Sequence, residues 1–144
     1  MKILIDADGC PVVNIAVLIA KKADLPITLV KNHAHHLESD YAHIITVDKS
    51  KDWADFKIAN LTSPGDIVVT QDYGLAAMVL AKGALCLNQN GVVIHQENID
   101  RFLERRHQNQ VIRKTHKKYT KFKKRDASQD KHFEESLLKL ISQK

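Results

Sequence analysis

The chain has 144 residues, a length that suits one domain around a single buried core. Its 44% hydrophobic and 27% charged residues are those of a soluble globular protein, and no apolar run approaches the ~20 residues needed to span a bilayer. The formal charge of +5 hides a division, with a net −4 over residues 1–100 and a net +9 over residues 101–144. An acidic body with a basic tail points the tail at a polyanion and leaves the body able to hold cations.

Asp6 and Asp8 interrupt the N-terminal apolar stretch where a signal peptide would have its hydrophobic region, so cytoplasmic residence without a membrane partner is expected. Cys10 and Cys86 are far apart, with no metal-binding spacing around them, and are expected to be free thiols.

Lys2 to Ile5 is a short apolar strand that runs into Asp6-Ala7-Asp8-Gly9. Pro11 suits a first helical turn, and Val12, Ile15, Ala16, Ile19 and Ala20 recur at helical spacing over residues 11–22. Ile27 to Val30 is a second strand. The polar stretch from Asn32 to Tyr41, with His33, His35 and His36, reads as a loop. Ile44 to Val47 is a third strand, followed by a helix from Lys49 to Leu61 with Trp53, Phe56 and Ile58 as its expected inward anchors.

Ser63-Pro64-Gly65-Asp66 is a turn signature, after which Ile67 to Thr70 is the clearest buried strand. Leu75 to Lys82 is helical, with Gly83 as its C-terminal cap. Ala84 to Leu87 is a further strand, and Asn90-Gly91 turns the chain into Val92 to His95 as a hairpin. Strands alternating with helices imply crossover connections and a mostly parallel sheet covered on both faces, a three-layer α/β/α fold.

After Asn98 the composition shifts. Ile99, Phe102 and Leu103 mark a helix that packs on the body, with Arg101, Arg105 and Arg106 outward. Residues 1–106 are therefore read as the α/β domain. Residues 107–144 form a basic extension whose last part, with Phe133, Leu137, Leu138, Leu140 and Ile141, is an amphipathic helix that docks back.

Three aspartates carry the chemical argument. All strands of a parallel sheet present their carboxyl ends on one edge, so Asp6, Asp8 and Asp72 converge there if the first and fourth strands are neighbours. Clustered carboxylates repel and raise one another's pKa, and a divalent ion with hard oxygen ligands, Mg²⁺ or Mn²⁺, removes that cost. The competing reading is that strand-end aspartates cap the helices that follow. Asp52 and Asp55 lie three apart on the next helix and could complete the cluster, or could simply favour a helix N-terminus through the macrodipole.

In the tail, Arg113, Lys114, Lys117, Lys118, Lys121, Lys123, Lys124 and Arg125 offer phosphate contacts, while Tyr119 and Phe122 offer rings for base stacking. The competing reading there is a solubilising charge run. Cys10 follows the aspartates at a helix start, but no arginine stands close behind it to clamp a phosphate, so a packing role is expected.

The segments Asp6-Ala7-Asp8-x-Cys10-Pro11-Val12, Asp52-x-Ala54-Asp55, Pro64-Gly65-Asp66-x-Val68-Val69-Thr70-x-Asp72-x-x-Leu75-Ala76, Lys82-Gly83-Ala84 and Lys124-Arg125-Asp126 occur in the order found in the bacterial YaiI/YqxD family. The chain resembles that family over nearly its whole length. Gly9 stands where alanine or another small residue is expected. The resemblance implies a PIN-like fold. PIN-domain nucleases cluster acidic side chains at the sheet's carboxyl edge and cut RNA or DNA with Mg²⁺ or Mn²⁺. By that likeness Asp6, Asp55 and Asp72 are the catalytic acids, and the metal ligands are these three together with Asp8, an acid peculiar to the family's own motif.

Three functions are thus expected from the sequence. The first is a Mg²⁺- or Mn²⁺-dependent nuclease, with RNA ahead of DNA as substrate. The second, of another class, is a nucleic-acid-binding protein without turnover. The third is an aspartate-nucleophile phosphatase similar to the haloacid dehalogenases, in which Asp6 forms an aspartyl-phosphate and Asp8 protonates the leaving group. Against the third, Asp66 precedes its strand while Asp72 follows it, so the two fall at opposite ends.

Overall fold

The computed structural model describes residues 1–32, 36–48, 51–105 and 124–143, and at 51 and 52 the backbone only. The strands are β1 (Ile3–Asp6), β2 (Ile27–Asn32), β3 (His43–Val47), β4 (Ile67–Val69), β5 (Leu85–Leu87) and β6 (Val93–Ile94). The helices are α1 (Val13–Lys22), α2 (Lys51–Leu61), α3 (Tyr73–Ala81), α4 over residues 99–105 and α5 (Ala127–Ile141). The strands form one sheet in the order β3-β2-β1-β4-β5-β6. Every pairing is parallel except β5 with β6, the hairpin expected at Asn90-Gly91.

Alternate residues of each strand point to opposite faces, and this splits the apolar core in two. Ile3, Ile5, Leu29 and Val69 face α1 and α5, where they meet Ala16, Ile19, Phe133, Leu137 and Leu140. Leu4, Val30, Val68 and Cys86 face α2, α3 and α4, where they meet Ala54, Ile58, Leu75, Val79 and Ile99. The result is the expected three-layer α/β/α arrangement. The amphipathic segment near the C-terminus is α5, and it supplies three of the most buried side chains on the first face.

Two local expectations are corrected. Pro11 lies in a turn, and α1 begins at Val13 with Val12 as its N-cap. The residues before it are held otherwise, since Cys10 N–H donates to Ala7 O at 3.2 Å, which leaves no room to start the helix earlier. On α2, Ile58 is buried, but Trp53 and Phe56 are 57% and 56% exposed. Ala54 and Ile58, four apart, define the buried stripe of that helix, and at 100° per residue Trp53 and Phe56 fall off it. The small Ala54 lets the helix sit close on the sheet.

Among the described residues no helix is long and apolar enough to cross a membrane.

Candidate functional site

The strand order reverses at β1: the chain steps from β1 outward to β2 and β3, then α2 carries it back across to β4 on the other side of β1. A crevice opens above the carboxyl ends of the strands at such a reversal. β1 ends there in Asp6, and β4 is followed there by Thr70 and Asp72. Asp6 lies two residues beyond Leu4 and Thr70 two beyond Val68, so both stand on the α2/α3 face of the sheet.

Thr70 connects the two aspartates. Its hydroxyl donates to Asp6 Oδ2 at 3.2 Å and accepts from the Asp72 backbone N–H at 2.9 Å. Asp72 is the N-cap of α3, its Oδ1 accepting from Leu75 N–H at 3.1 Å. Asp8 stands in the turn after β1, where its two oxygens accept from the Asn32 N–H at 3.2 and 3.0 Å and tie the turn to the end of β2. The helix-capping expectation is thus correct for Asp72, and Asp8 has a structural task of its own.

These contacts leave Asp6 in an unusual state. Its carboxyl is raised to about 6: burial is the largest cause, the Thr70 hydroxyl pulls the other way, and the negative charges of Asp8 and Asp72 add to the rise. Its Oδ1 accepts no hydrogen bond among the described residues. Asp6, Asp8 and Asp72 are therefore brought together electrostatically, and Asp6 is the member with an oxygen to offer. Asp55 is half-buried on α2. It stands one turn before Ala59, whose carbonyl receives Lys82 from the end of α3, so it occupies the flank of α2 that faces α3. The side chain of Asp52 lies outside the described residues.

Among the described residues no three His, Cys, Asp or Glu side chains form a ready cage for one ion. The donor chemistry nevertheless suits Mg²⁺ or Mn²⁺, because Mg²⁺ takes one or two carboxylates and keeps the rest of its shell for water and phosphate oxygens. A half-buried carboxylate, raised first by desolvation and then by two like charges, with one oxygen that accepts no hydrogen bond among the described residues, fits that mode of binding.

The other sequence candidates divide. Arg125 is taken up internally: Nε donates to Asp130 Oδ1 at 2.8 Å, Nη1 to Asn90 Oδ1 at 2.8 Å and Nη2 to Gln89 O at 2.7 Å. Lys124 is exposed. Arg113, Lys114, Lys117, Lys118, Tyr119, Lys121, Phe122 and Lys123 lie outside the described residues, as do His33 and His35. His36 is exposed and pairs with Glu38 at 3.0 Å. Cys10 packs against the core on the α1 side, and burial raises its thiol pKa, which suits packing and disfavours a thiolate nucleophile.

Asp66 settles at the far end of β4. It accepts from Lys2 N–H at 3.0 Å, Lys2 Nζ at 2.5 Å and Ser63 N–H at 2.8 Å, all at the amino edge. A phosphatase built on Asp6 would need its later acids at the carboxyl edge, and Asp66 is not available to it.

Sequence reasoning missed Thr70 and Asn32. The signal for Thr70 was its place two residues before Asp72 at a strand end, the spacing at which a hydroxyl accepts from a backbone N–H. It also missed a stack of Tyr73 on Phe102, with ring centroids 4.7 Å apart and planes inclined by 16°.

A family model described as "Uncharacterized BCR, YaiI/YqxD family" matches residues 4–143. A "UPF0178 protein" of Alkaliphilus oremlandii is 52% identical over 143 residues, covering 99% of this chain and 92% of its own length. Proteins of the same description from Ruminiclostridium cellulolyticum and Exiguobacterium sibiricum are 47% and 44% identical, covering 98% and 100% of this chain and 92% and 99% of their own. No solved structure matches the chain.

Proposed function

The chain belongs to the YaiI/YqxD family, and from that premise we propose that it is a Mg²⁺- or Mn²⁺-dependent nuclease acting on single-stranded nucleic acid, RNA ahead of DNA. The observation that carries this reading is Asp6: a carboxylate at the strand-order reversal, raised to about 6 by burial and by Asp8 and Asp72, with Oδ1 unoccupied by any donor among the described residues. Asp6 and Asp72 would hold the ion, with Asp8 sharing its field and Asp55 reaching in from α2. Bound there, the ion would lower the pKa of a water and stabilise negative charge on the attacked phosphate.

The residues themselves do the rest. Thr70 fixes the Asp6 carboxylate through Oδ2, so Oδ1 keeps one direction. The cap bond from Leu75 holds Asp72 in register beside it. The lysines of residues 113–124 would supply affinity for the phosphate backbone.

The test is cleavage of end-labelled single-stranded RNA and DNA in Mn²⁺, Mg²⁺ and EDTA. Cleavage is expected with the metals alone, and Asp6→Asn and Asp72→Asn should each reduce it about a hundredfold or more. If no oligonucleotide is cut with either ion, the hydrolase reading is wrong.

A second reading, binding without turnover, draws on a specific observation: Asp8 and Asp72 both have structural hydrogen bonds to make, and among the described residues no three acids close on one point. Salt-dependent RNA binding by a protein inert in every metal would favour it.

A further inference from the structure

β6 runs antiparallel to its neighbour, so the chain descends to the amino edge and α4 climbs back toward the carboxyl edge. Phe102 of α4 thereby meets Tyr73, the first residue of α3, immediately after the Asp72 cap. Arg105 lies three residues on, about 4.5 Å further along the helix axis. Its guanidinium stands 6.0 Å from the centre of the Phe102 ring. Tyr73 and Phe102 are half-buried and Arg105 is exposed.

Arg105 differs from Arg125, which stands just before α5. Arg125 spends its donors on Asp130, Asn90 and Gln89. Among the described residues Arg105 makes no ion pair and no hydrogen bond, although the acidic edge is close by. An exposed guanidinium beside an aromatic ring, with its donors not taken by the described residues, can pair with a phosphate while the ring meets a base.

We propose that Tyr73, Phe102 and Arg105 form a nucleotide-binding subsite beside the acidic edge, in which Arg105 takes a backbone phosphate of a single strand and the open part of the aromatic stack takes a base. This deepens the nuclease reading and rests on nucleic acid being the substrate. The subsite would fix the register of the strand, setting which phosphate reaches Asp6. Base stacking on rings is tolerant of sequence, so the subsite selects single strands over duplex without selecting a particular base.

The experiment is fluorescence anisotropy of labelled oligouridylate, oligothymidylate and an abasic oligomer of equal length, in EDTA so that nothing is cut. Arg105→Gln, an exposed substitution expected to leave the melting temperature unchanged, should weaken all three by about tenfold and lower the slope of log K against log salt by about 0.7. Phe102→Leu should weaken the two base-bearing strands by about fivefold or more and leave the abasic one near the wild type. The ratio between the RNA and DNA arms says which the subsite prefers.

Unchanged affinity and salt slope in Arg105→Gln overturns the proposal, and so does wild-type protein that binds none of the three. The two readings fail separately. Binding that depends on Arg105, with no cleavage in Mn²⁺, removes the hydrolase and keeps the subsite. Cleavage by the wild type with unaltered binding in Arg105→Gln does the reverse.

Discussion

Asp6 holds its proton more tightly in the folded chain than an unfolded aspartate does, about 6 against 3.8. Burial is the first cause, so the strain is present only when the group is ionised. Its contribution to stability is therefore complete below pH about 4 and lost as the pH rises through 6, a difference of about 3 kcal/mol by linkage. Asp6→Asn keeps an acceptor for Thr70 and removes the charge. In metal-free buffer it should stabilise the protein by about 1–3 kcal/mol at pH 8 and by nothing measurable at pH 4, read by urea unfolding at the two values. An equal gain at both would refute the assignment. Thr70→Val removes the hydrogen bond that favours the ionised form, so the Asp6 carboxyl should titrate higher still, as ¹³C NMR of the side chain would report. At this scale the aspartates were readable because strand ends in α/β sheets converge. Thr70 was not, because its hydroxyl reaches Asp6 only once β1 and β4 are known to be neighbours.

Helix α5 carries the most specific element-scale contacts in the chain. Asp126 caps it with a capping box to Gln129, and Arg125, one residue earlier, clamps it to the Gln89-Asn90 turn. The Lys124-Arg125-Asp126 segment thus serves in part to start and fasten a helix, where its charges alone suggested nucleic acid. Gly91 of that same turn sits at φ +85°, and a Cβ there would lie 2.7 Å from the backbone of His132. Gly91→Ala must therefore both strain the turn and push α5 off the sheet. A loss of roughly 2–5 kcal/mol is expected, with the melting temperature as the measure. A loss under about 1 kcal/mol would mean that α5 does not press on the turn in solution. The helix itself was visible as an amphipathic pattern. Its partner was not, because a glycine gives no sign of what packs against it. Trp53 and Phe56 failed for a related reason: α2 has two candidate faces, and only the sheet beneath selects the one with Ala54 and Ile58.

At the scale of the molecule, the charge division and the fold have to be tested together. Phe133, Leu137 and Leu140 lie in the core on the α1 side, and burying side chains of this size contributes about 1.5–3 kcal/mol each. Their sum rivals the stability of a whole domain, about 5–15 kcal/mol, so a chain cut before residue 107 to remove the basic tail would lose α5 with it and should unfold. The tail's role must be probed by changing charge in place. Replacing Lys117, Lys118, Lys121, Lys123 and Lys124 with glutamine keeps Arg125, Asp126 and α5 intact. Each phosphate contact on a single strand contributes about 0.7 to the slope of log K against log salt, so loss of five should flatten it by about 3.5. Circular dichroism and the melting temperature should stay at wild-type values while affinity at low salt falls. If the slope is unchanged, the net +9 of residues 101–144 is a solvated charge run and the strand must be held by the edge itself. If it flattens while Arg105→Gln adds a further 0.7, the tail and the edge contact different phosphates of one strand, and the basic half of the chain serves to present that strand to the acidic half.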